Sequence, residues 1–410
     1  MSELGLRAVS GAGFFAMIGI AWLLSSDRRR FPWRTVASGV ALQGALGALL
    51  LLTPWGSAMF VGINAGVARF LAYTNAGVAM VFGPLAEVGF SFLANVLPIL
   101  IFMGAVFSVL YHLGIVQRVV DALAAVLSRT MDLSGAESLS AVANVFIGMA
   151  ESALVVRPYL DAMTRSELFS LMTVGMGTIA GSVLLAYVGI LGGGDFAGHL
   201  VTASLLSAPA GLVIAKVMEP ETGTPATSAG AHSTVEREAV NTIDAAATGA
   251  INGMRLAAYV GAMLIAFRAG IELANDLLGT AGGWVGVEGL RLELLLGFAM
   301  APFALLMGVE PGDAIAVGGL LGVKTVLNEF LAYQGLGEAI AAGSLSPRSI
   351  RIASYALCGF ANFGSLAILL GGIGGMAPQR RGDVAALGMR SIVGGSLTTF
   401  MTACVAGALT

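Results

Sequence analysis

Long apolar runs separated by short polar stretches dominate the chain. A membrane-crossing helix needs about 20 mostly apolar residues, and about eight runs meet this requirement. They are residues 4–24, 35–53, 90–113, 167–191, 197–218, 250–276, 347–373 and 384–408. Two further stretches, 57–75 and 286–308, mix apolar with polar positions and are predicted to lie at the membrane interface. The pattern therefore predicts an all-α polytopic membrane protein with additional interfacial helices.

Two other stretches are too polar for helices that face lipid. They are residues 134–160, which contain Asn144, Glu151 and Arg157, and residues 310–336, which contain Asp313, Lys324, Asn328 and Glu329. Each stretch is long enough for two half-length helices that meet at a tip. Non-helical backbone at membrane depth is tolerated only when it is buried in protein or lines a cavity. We therefore predict two re-entrant hairpins.

The sequences that follow the two hairpins indicate an internal repeat. Ser182 lies 17 residues after Arg165, and Ser365 lies 17 residues after Arg348. Both serines lie in Gly-rich patches inside an apolar run, and we interpret each patch as a point where the helix unwinds. An odd number of crossings separates the two copies, so the repeat is predicted to be inverted. Chance agreement of the spacings is the alternative.

A single polar, low-complexity segment divides the chain into halves. The predicted organisation has N-terminal spans and an interfacial helix in residues 1–89, followed by the first repeat half in residues 90–218. A cytoplasmic linker, residues 219–249, joins this half to the second one, residues 250–410. A transporter built from inverted repeats binds its substrate between them.

Composition and charge exclude a soluble protein and orient the chain. Charged residues make up 11% of the 410 residues, against about 25% in soluble domains. The arginines at positions 28–30 and 34 follow the first apolar run, and basic loops stay in the cytoplasm. We therefore expect a multi-pass protein of the bacterial inner membrane with both termini outside.

Glu151 and Glu329 are the strongest candidates for a substrate site. Ionisable groups at bilayer depth are costly unless they are paired or face a wet cavity. Carboxylates accept hydrogen bonds from substrate hydroxyls and compensate cations. The alternative is that each glutamate forms a buried structural ion pair, with Arg157 or with Lys324.

Neutral polar residues add a second group of candidates. Asn362 and Ser365 suit sugar hydroxyls, or they join helices to one another. Asn144 and Thr178 offer oxygen ligands of the kind that a hard monovalent cation needs. Phe360 either packs or contacts substrate. The sequence contains no P-loop, nucleophile elbow or Cys/His cluster, which favours a secondary transporter over an ATP-driven pump or an intramembrane enzyme. A channel or receptor with the same fold is the alternative.

Several ordered motifs resemble the concentrative nucleoside transporter family, of the bacterial eight-span type. The similarity extends from about residue 90 to the C terminus. The motifs are Ser134-Gly-Ala-Glu-Ser-Leu-Ser140, Val156-Arg-Pro-Tyr-Leu160, Met163-Thr-Arg-Ser-Glu-Leu168, Thr178-Ile-Ala-Gly-Ser-Val183, Lys324-Thr-Val-Leu-Asn-Glu-Phe330 and Ala356-Leu-Cys-Gly-Phe-Ala-Asn362. The resemblance implies a homotrimer that imports nucleosides with sodium or, in some members, with protons. It implies no enzymatic activity and no cofactor besides the coupling ion.

The resemblance also implies which residues bind each ligand. Sodium would be held by the side chains of Asn144 and Thr178 and by the backbone carbonyls of Ile147 and Ile179. The ribose would contact Glu329, Asn362 and Ser365. The base would contact Met149, Ala150 and Glu151 at the first hairpin tip, and also Val183, with Phe360 nearby.

The chain departs from the family at the first hairpin tip. Family members commonly read Gly-Gln-Thr-Glu-Ala-Pro or Gly-Gln-Ser-Glu-Ser-Pro, whereas this chain reads Gly148-Met-Ala-Glu-Ser-Ala153. Met149 and Ala150 replace the amide and hydroxyl that usually address the base. Loss of these partners weakens rejection of other bases, so the sequence predicts either broader or altered base specificity.

Overall fold

The computed structural model describes residues 2–84, 92–193, 195–228, 230–231, 239–284, 286 and 289–410. Within these ranges all regular secondary structure is helical, which confirms the predicted all-α class. Eight helical segments of the described chain are long and apolar enough to cross a membrane. The predicted run 347–373 is not among them, because it divides into two shorter helices.

The N-terminal region forms three helices, α1 (Glu3–Leu23), α2 (Trp33–Leu52) and α3 (Pro54–Phe82). Thr53 begins α3, since its hydroxyl accepts a hydrogen bond from the Gly56 amide. The helix has 29 residues and is longer than the interfacial stretch 57–75 predicted here. Its length and composition also suffice for a membrane crossing.

The first hairpin consists of α6 (Gly135–Ile147) and α7 (Met149–Val155), which meet at Gly148. A capping box begins α6, with the Ser134 hydroxyl and the Glu137 carboxylate each accepting from the other's backbone amide. Gly148 has a φ of +96°, a left-handed conformation that favours glycine. The sharp tip therefore follows directly from the local sequence.

The second hairpin consists of α13 (Ala314–Val326) and α14 (Glu329–Ala341). Asn328 begins α14, because its side-chain oxygen accepts a 2.9 Å hydrogen bond from the Leu331 amide. Glu329 is thus the first residue of a half-length helix, where the helix dipole favours a carboxylate.

Each hairpin is followed by a broken span, as the Gly-rich patches predict. The first span comprises α8 (Arg165–Gly177) and α9 (Gly181–Ile190), and the second comprises α15 (Pro347–Ala356) and α16 (Phe363–Met376). The two breaks lie against each other, since a Cβ atom built at Gly359 would lie 3.0 Å from the Met176 carbonyl oxygen. The last helix, α17 (Arg381–Leu409), packs across both breaks.

The remaining crossings are α4 (Leu97–His112), which follows a π-helical turn at Phe92–Val96, α10 (Asp195–Met218) and α11 (Thr242–Trp284). With 43 residues, α11 is about 65 Å long at 1.5 Å per residue and exceeds the predicted run 250–276. It packs closely on α4 through Gly104, Gly249 and Gly253, as small residues allow in membranes.

Besides the helices of the hairpins and broken spans, two described helices are too short to cross a membrane. They are α5 (Ile115–Met131) and α12 (Leu292–Leu306); the second falls in the predicted interfacial stretch 286–308, and the first was not predicted. Val120 and Leu127 of α5 are buried, whereas Val119 and Val126 are exposed. Exposed apolar residues beside charged ones are typical of a helix at the membrane interface.

The chain ends lie on one face of the protein, and a charged cluster lies on the other. The Arg7 guanidinium donates a 3.0 Å hydrogen bond to the Thr410 carbonyl. At the opposite end, Lys216 pairs with Glu137 at 2.5 Å, and Glu219 of the linker pairs with Arg165 at 2.9 Å. These contacts attach the described start of the linker to the base of the first hairpin. The predicted division of the chain at residues 89, 218 and 249 stays a prediction.

Candidate functional site

A cavity of ≈ 210 Å³ lies where both hairpin tips, both breaks and α11 meet. This is smaller than the ~300–1,000 Å³ of sites for drug-sized molecules, so the cavity suits a small ligand. Eight of the residues predicted to bind ligands line it: Ile147, Met149, Glu151, Val183, Glu329, Phe360, Asn362 and Ser365. The structure thus gathers into one place residues from four separate parts of the sequence.

Glu329 is the polar centre of the cavity. Its Oε1 accepts a 2.9 Å hydrogen bond from the Tyr187 hydroxyl, and its Oε2 accepts one of 2.9 Å from the Asn362 amide. The Asn362 side-chain oxygen in turn accepts a 2.7 Å hydrogen bond from the Ser365 backbone amide. Asn362 thereby caps the N-terminus of α16. An ionised carboxylate has about four acceptor positions, so Glu329 retains capacity for ligand hydroxyls.

The alternative of structural ion pairs is wrong for both glutamates. Among the described residues, no lysine or arginine lies within 4.0 Å of the Glu151 or Glu329 carboxylates. Lys324 instead donates to the Ala356 carbonyl and the Thr399 hydroxyl, each at 2.8 Å. Both carboxylates are therefore available to a ligand in the cavity.

The first hairpin tip contributes an apolar wall. Met149 and Val183 are 7% and 4% exposed and line the cavity, as does the half-buried ring of Phe360. Met149 packs against α8, since a Cβ atom built at Gly175 of α8 would lie 3.2 Å from the Met149 Cβ. The side chain of Ala150 lies outside the described part of the structure. Glu151 is exposed to the cavity.

Asn144 and Thr178 lie together behind the tip and are 1% and 0% exposed. The Asn144 amide nitrogen donates to the Thr178 hydroxyl and, at 3.0 Å, to the Val174 carbonyl. Ile147 is the last residue of α6, where carbonyls lack intrahelical partners, and Ile179 lies in the first break. These neutral oxygens suit a hard monovalent cation, provided that the Asn144 amide turns to present its oxygen.

Sequence analysis did not identify Tyr187, which contacts Glu329, or the face of α11 that lines the cavity. Tyr187, fully buried on α9, positions Glu329 but lies in an apolar run without any local motif. One face of α11 closes the cavity with residues at helical spacing: Leu256, Tyr259, Val260, Met263 and Phe267. Large apolar residues are equally expected on a lipid-facing helix. The only sequence signal for this face is therefore the spacing of three or four residues between its members.

Replacing Tyr187 with phenylalanine is expected to weaken binding of a nucleoside, the ligand that the family resemblance implies, about tenfold, because hydrogen bonds to charged groups contribute about 1.5–3 kcal/mol. Isothermal titration of purified protein would measure the change. Tyr333→Phe is a matched control. The Tyr333 ring stacks on Tyr187 at 4.6 Å, but its hydroxyl donates to the Ser354 carbonyl. Equal weakening by both variants would contradict a specific role for Tyr187.

Replacing Gly148 with alanine is expected to impair both ligand sites, since a Cβ atom would lie 2.9 Å from the Ala180 Cβ and 3.2 Å from Glu151 Oε2. With φ +96° and ψ 172°, Gly148 has a backbone conformation that essentially only glycine adopts, and a residue with a side chain there costs about 1–3 kcal/mol, to which this crowding adds. Gly192→Ala is the control, because Gly192 has a φ of +87° with no atom within 4 Å of its Cβ position. Thermal unfolding of both variants should be measured with and without sodium and uridine, the ligands that the family resemblance implies. Loss of ligand stabilisation is expected only at Gly148.

Comparison with known proteins adds independent information. The family model of the Na⁺-dependent nucleoside transporter N-terminus matches residues 12–85, and that of the C-terminus matches residues 199–407. A third model, described as a nucleoside recognition gate, matches residues 93–194. Together the three models match most of the chain.

Individual relatives cover almost the whole length. The transporter YutK of Bacillus subtilis is 43% identical over 96% of this chain and 97% of its own. The nucleoside permease NupC of Helicobacter pylori is 39% identical over 97% and 96%. The structure of CNTnw in an inward-facing substrate-bound state matches with a TM-score of 0.92 and 41% identity, over 99% of this chain and 98% of that one.

Proposed function

Because the chain belongs to the Na⁺-dependent nucleoside transporter family, we propose that it imports nucleosides in symport with a cation, and that sodium is this cation. The family and its solved relatives are transporters rather than enzymes. The predicted membership of the concentrative nucleoside transporter family is therefore confirmed, and so is the prediction that the protein is a transporter rather than an enzyme.

The observation that carries the proposal is the hydrogen-bonded Glu329 in a small cavity. Tyr187 and Asn362 fix both carboxylate oxygens at 2.9 Å, so the remaining acceptor positions have a defined direction. Adjacent ribose hydroxyls would donate to these positions, with Ser365 also lining the cavity. Hydrogen bonds to an ionised acceptor are about twice as strong as neutral ones, which suits Glu329 to sugar recognition.

Sodium is favoured over protons by the neutral donors at the proposed ion site. Neither Asn144 nor Thr178 titrates, so both supply oxygen atoms irrespective of pH. A sodium ion held there would contact α6 and the first break together and would fix the tip beside the substrate. Proton coupling is the second candidate, and Glu151, which faces the cavity, would then carry the proton.

Transport itself would proceed by alternating access. The two hairpins and the two broken spans would move as a unit against the remaining helices, which would assemble as a homotrimer in the bacterial inner membrane. With the charged cluster around Lys216 and Arg165 placed in the cytoplasm, both chain ends lie outside. Coupling requires that sodium bind more tightly to the nucleoside-loaded protein.

Base specificity would differ from that of relatives with a glutamine at the tip. Met149 and Val183 present apolar surface to the cavity, so the base would be held mainly by packing. A site without hydrogen-bond partners for the base cannot strongly reject alternative bases. We expect uridine and adenosine to bind with affinities within about tenfold of each other.

Equilibrium binding tests the proposed substrate and ion directly. Purified protein would be titrated with uridine, adenosine, uracil and ribose, in sodium chloride and in choline chloride. The proposal predicts binding of both nucleosides that needs sodium, and little binding of uracil. Sodium-independent binding that strengthens at low pH would favour proton coupling, and absence of nucleoside binding under every condition would overturn the proposal.

A further inference from the structure

The two lysines of the chain, Lys216 and Lys324, are both buried but have different surroundings. Lys216 pairs with the carboxylates of Glu137 and Glu221 at 2.5 and 3.3 Å. Lys324 is 1% exposed, and no carboxylate in the described structure lies within 4.0 Å of its ammonium group. A buried charge without a counter-ion is costly, so its position calls for a functional explanation.

The surroundings of Lys324 resemble those of a bound cation. Its ammonium donates to the Ala356 carbonyl and the Thr399 hydroxyl, both at 2.8 Å, and lies 5.8 Å from the centre of the Phe400 ring. Ala356 is the last residue of α15, where the helix dipole is negative. A helix-end carbonyl, a hydroxyl and an aromatic face all attract positive charge.

The internal repeat relates this position to the proposed sodium site. Asn144 lies in the last turn of α6, and its side chain reaches the Val174 carbonyl in the last turn of α8, at 3.0 Å. Lys324 lies in the last turn of α13, and its side chain reaches Ala356 at the end of α15. In each half, a residue just before the hairpin tip thus contacts the carbonyl end of the helix that precedes the break.

The same helix, α17, packs against both positions. A Cβ atom at Gly177, before the first break, would lie 2.6 Å from Thr398 Cγ2, and one at Gly359, in the second break, would lie 2.6 Å from Thr399 Cγ2. Adjacent residues of one helix therefore support the two halves. Thr399, which accepts a hydrogen bond from the Lys324 ammonium, belongs to this shared support.

The acidic lining of the cavity points to the same electrostatic role for Lys324 and for the proposed sodium site. Among the described residues that line it, Glu151 and Glu329 are acidic and none is basic. Lys324 and Glu329 flank the tip of the second hairpin, and Asn144 and Glu151 flank the tip of the first, where Asn144 accepts a hydrogen bond from Ser152. One positive charge in each half would offset one carboxylate in each half.

We propose that Lys324 is a tethered cation that permanently occupies, in the second half, the position that sodium occupies reversibly in the first half. This inference rests on the proposed function. With sodium bound, two positive charges balance two carboxylates; without sodium, one negative charge stays uncompensated. A net charge is costly to move at bilayer depth, so the ion-free unit would be hindered from crossing. Lys324 would thereby set the coupling at one sodium ion per nucleoside.

Replacing Lys324 with asparagine, the residue that the first half has at position 144, tests the proposal. The variant should create a second exchangeable site, so that uridine binding depends on two sodium ions. We expect the Hill coefficient for sodium to rise from about 1 to about 2, and the half-saturating sodium concentration to rise about tenfold or more. Titrations of uridine binding against sodium, at constant ionic strength, would measure both quantities.

Lys216→Met is the matched control, since it removes the other buried lysine away from the cavity. It should lower thermal stability and leave the Hill coefficient at about 1. A Lys324→Asn protein that is monodisperse and keeps the wild-type sodium dependence would overturn the proposal. So would a monodisperse variant that binds no uridine at any sodium concentration, because Lys324 would then be a structural residue only.

The unaltered protein provides a second test that does not require a variant to fold. Uptake of radiolabelled sodium and of radiolabelled uridine into proteoliposomes would be measured in parallel. The ratio of the two uptake rates should be about one sodium ion per nucleoside. A ratio of about two would overturn the tethered-cation proposal while leaving sodium symport intact. Uridine binding by the wild type without any sodium dependence would instead refute the proposed function itself, so the two failures are distinguishable.

Discussion

Replacing Glu329 with glutamine is expected to weaken nucleoside binding about a hundredfold, which corresponds to about 2.7 kcal/mol. The carboxylate receives hydrogen bonds from Tyr187 and Asn362 and is only 4% exposed. A neutral amide would weaken the bonds to ribose hydroxyls, since charge-assisted bonds contribute about 1.5–3 kcal/mol. Its NH₂ group would also face one of the two donors that now hold the carboxylate.

Isothermal titration with uridine and with 2′,3′-dideoxyuridine would measure this effect. The wild type should strongly prefer uridine, whereas Glu329→Gln should bind both compounds with similar weak affinity. Glu338→Gln is the control, because Glu338 is an exposed glutamate of the same helix and accepts a hydrogen bond from Gln334. A Glu329→Gln protein that still distinguishes the two nucleosides would show that the ribose is recognised elsewhere.

Replacing Asn144 with alanine should remove most of the sodium dependence of nucleoside binding. The side chain is 1% exposed and joins α6 to α8 and the first break through Val174 and Thr178. Alanine would delete one oxygen ligand of the proposed site and leave buried polar groups unpaired, at about 1–3 kcal/mol. The half-saturating sodium concentration should therefore rise about tenfold to a hundredfold.

Uridine binding measured over a range of sodium concentrations, with choline as the replacement ion, would test this prediction. Asn275→Ala is a suitable control, because Asn275 is a partly buried asparagine of α11 whose side-chain oxygen accepts a hydrogen bond from the Leu292 amide at the start of α12. It should reduce thermal stability without changing the sodium dependence. If Asn144→Ala and Asn275→Ala shift the sodium curve equally, the proposed ion site is wrong.

Both hairpins and both breaks could be predicted from sequence because they violate the membrane pattern. Glu151 and Glu329 are too costly for lipid-facing helices, and the Gly-rich stretches around Ser182 and Ser365 mark backbone that does not continue as a helix. Such features are local and rare in an apolar chain. The structure accordingly has helix ends at Gly177 and Ala356, where the sequence predicts unwinding.

Helix lengths and partners could not be predicted in the same way. Both α3 and α11 extend beyond the stretches that hydropathy predicts for them, 57–75 and 250–276. α5 was missed because charged and polar residues interrupt its apolar positions, so that no apolar run in it is long enough for a crossing. Hydropathy averaged over a window does not detect such a helix.

Without the family resemblance, which supplied Met149 and Val183, the candidate site was predictable mainly where residues carry polar groups. Asn362 and Ser365 stand out in an apolar run, whereas Tyr187 and Phe267 resemble their apolar neighbours. The sequence singled out Lys324 as an unusual charge at membrane depth, but the alternative of an ion pair between Lys324 and Glu329 is wrong. The two residues are five positions apart in the sequence, but α13 ends between them, and the Lys324 ammonium turns toward the Ala356 carbonyl.

Accumulation of radiolabelled uridine in proteoliposomes tests the central claim of sodium-coupled nucleoside import most directly. An inward sodium gradient, without a proton gradient, should drive saturable uptake above the external concentration, and the nucleoside should be recovered unchanged. A channel would only equilibrate the nucleoside across the membrane. Uptake driven by a proton gradient alone, or equilibration without accumulation under a sodium gradient, would contradict the account.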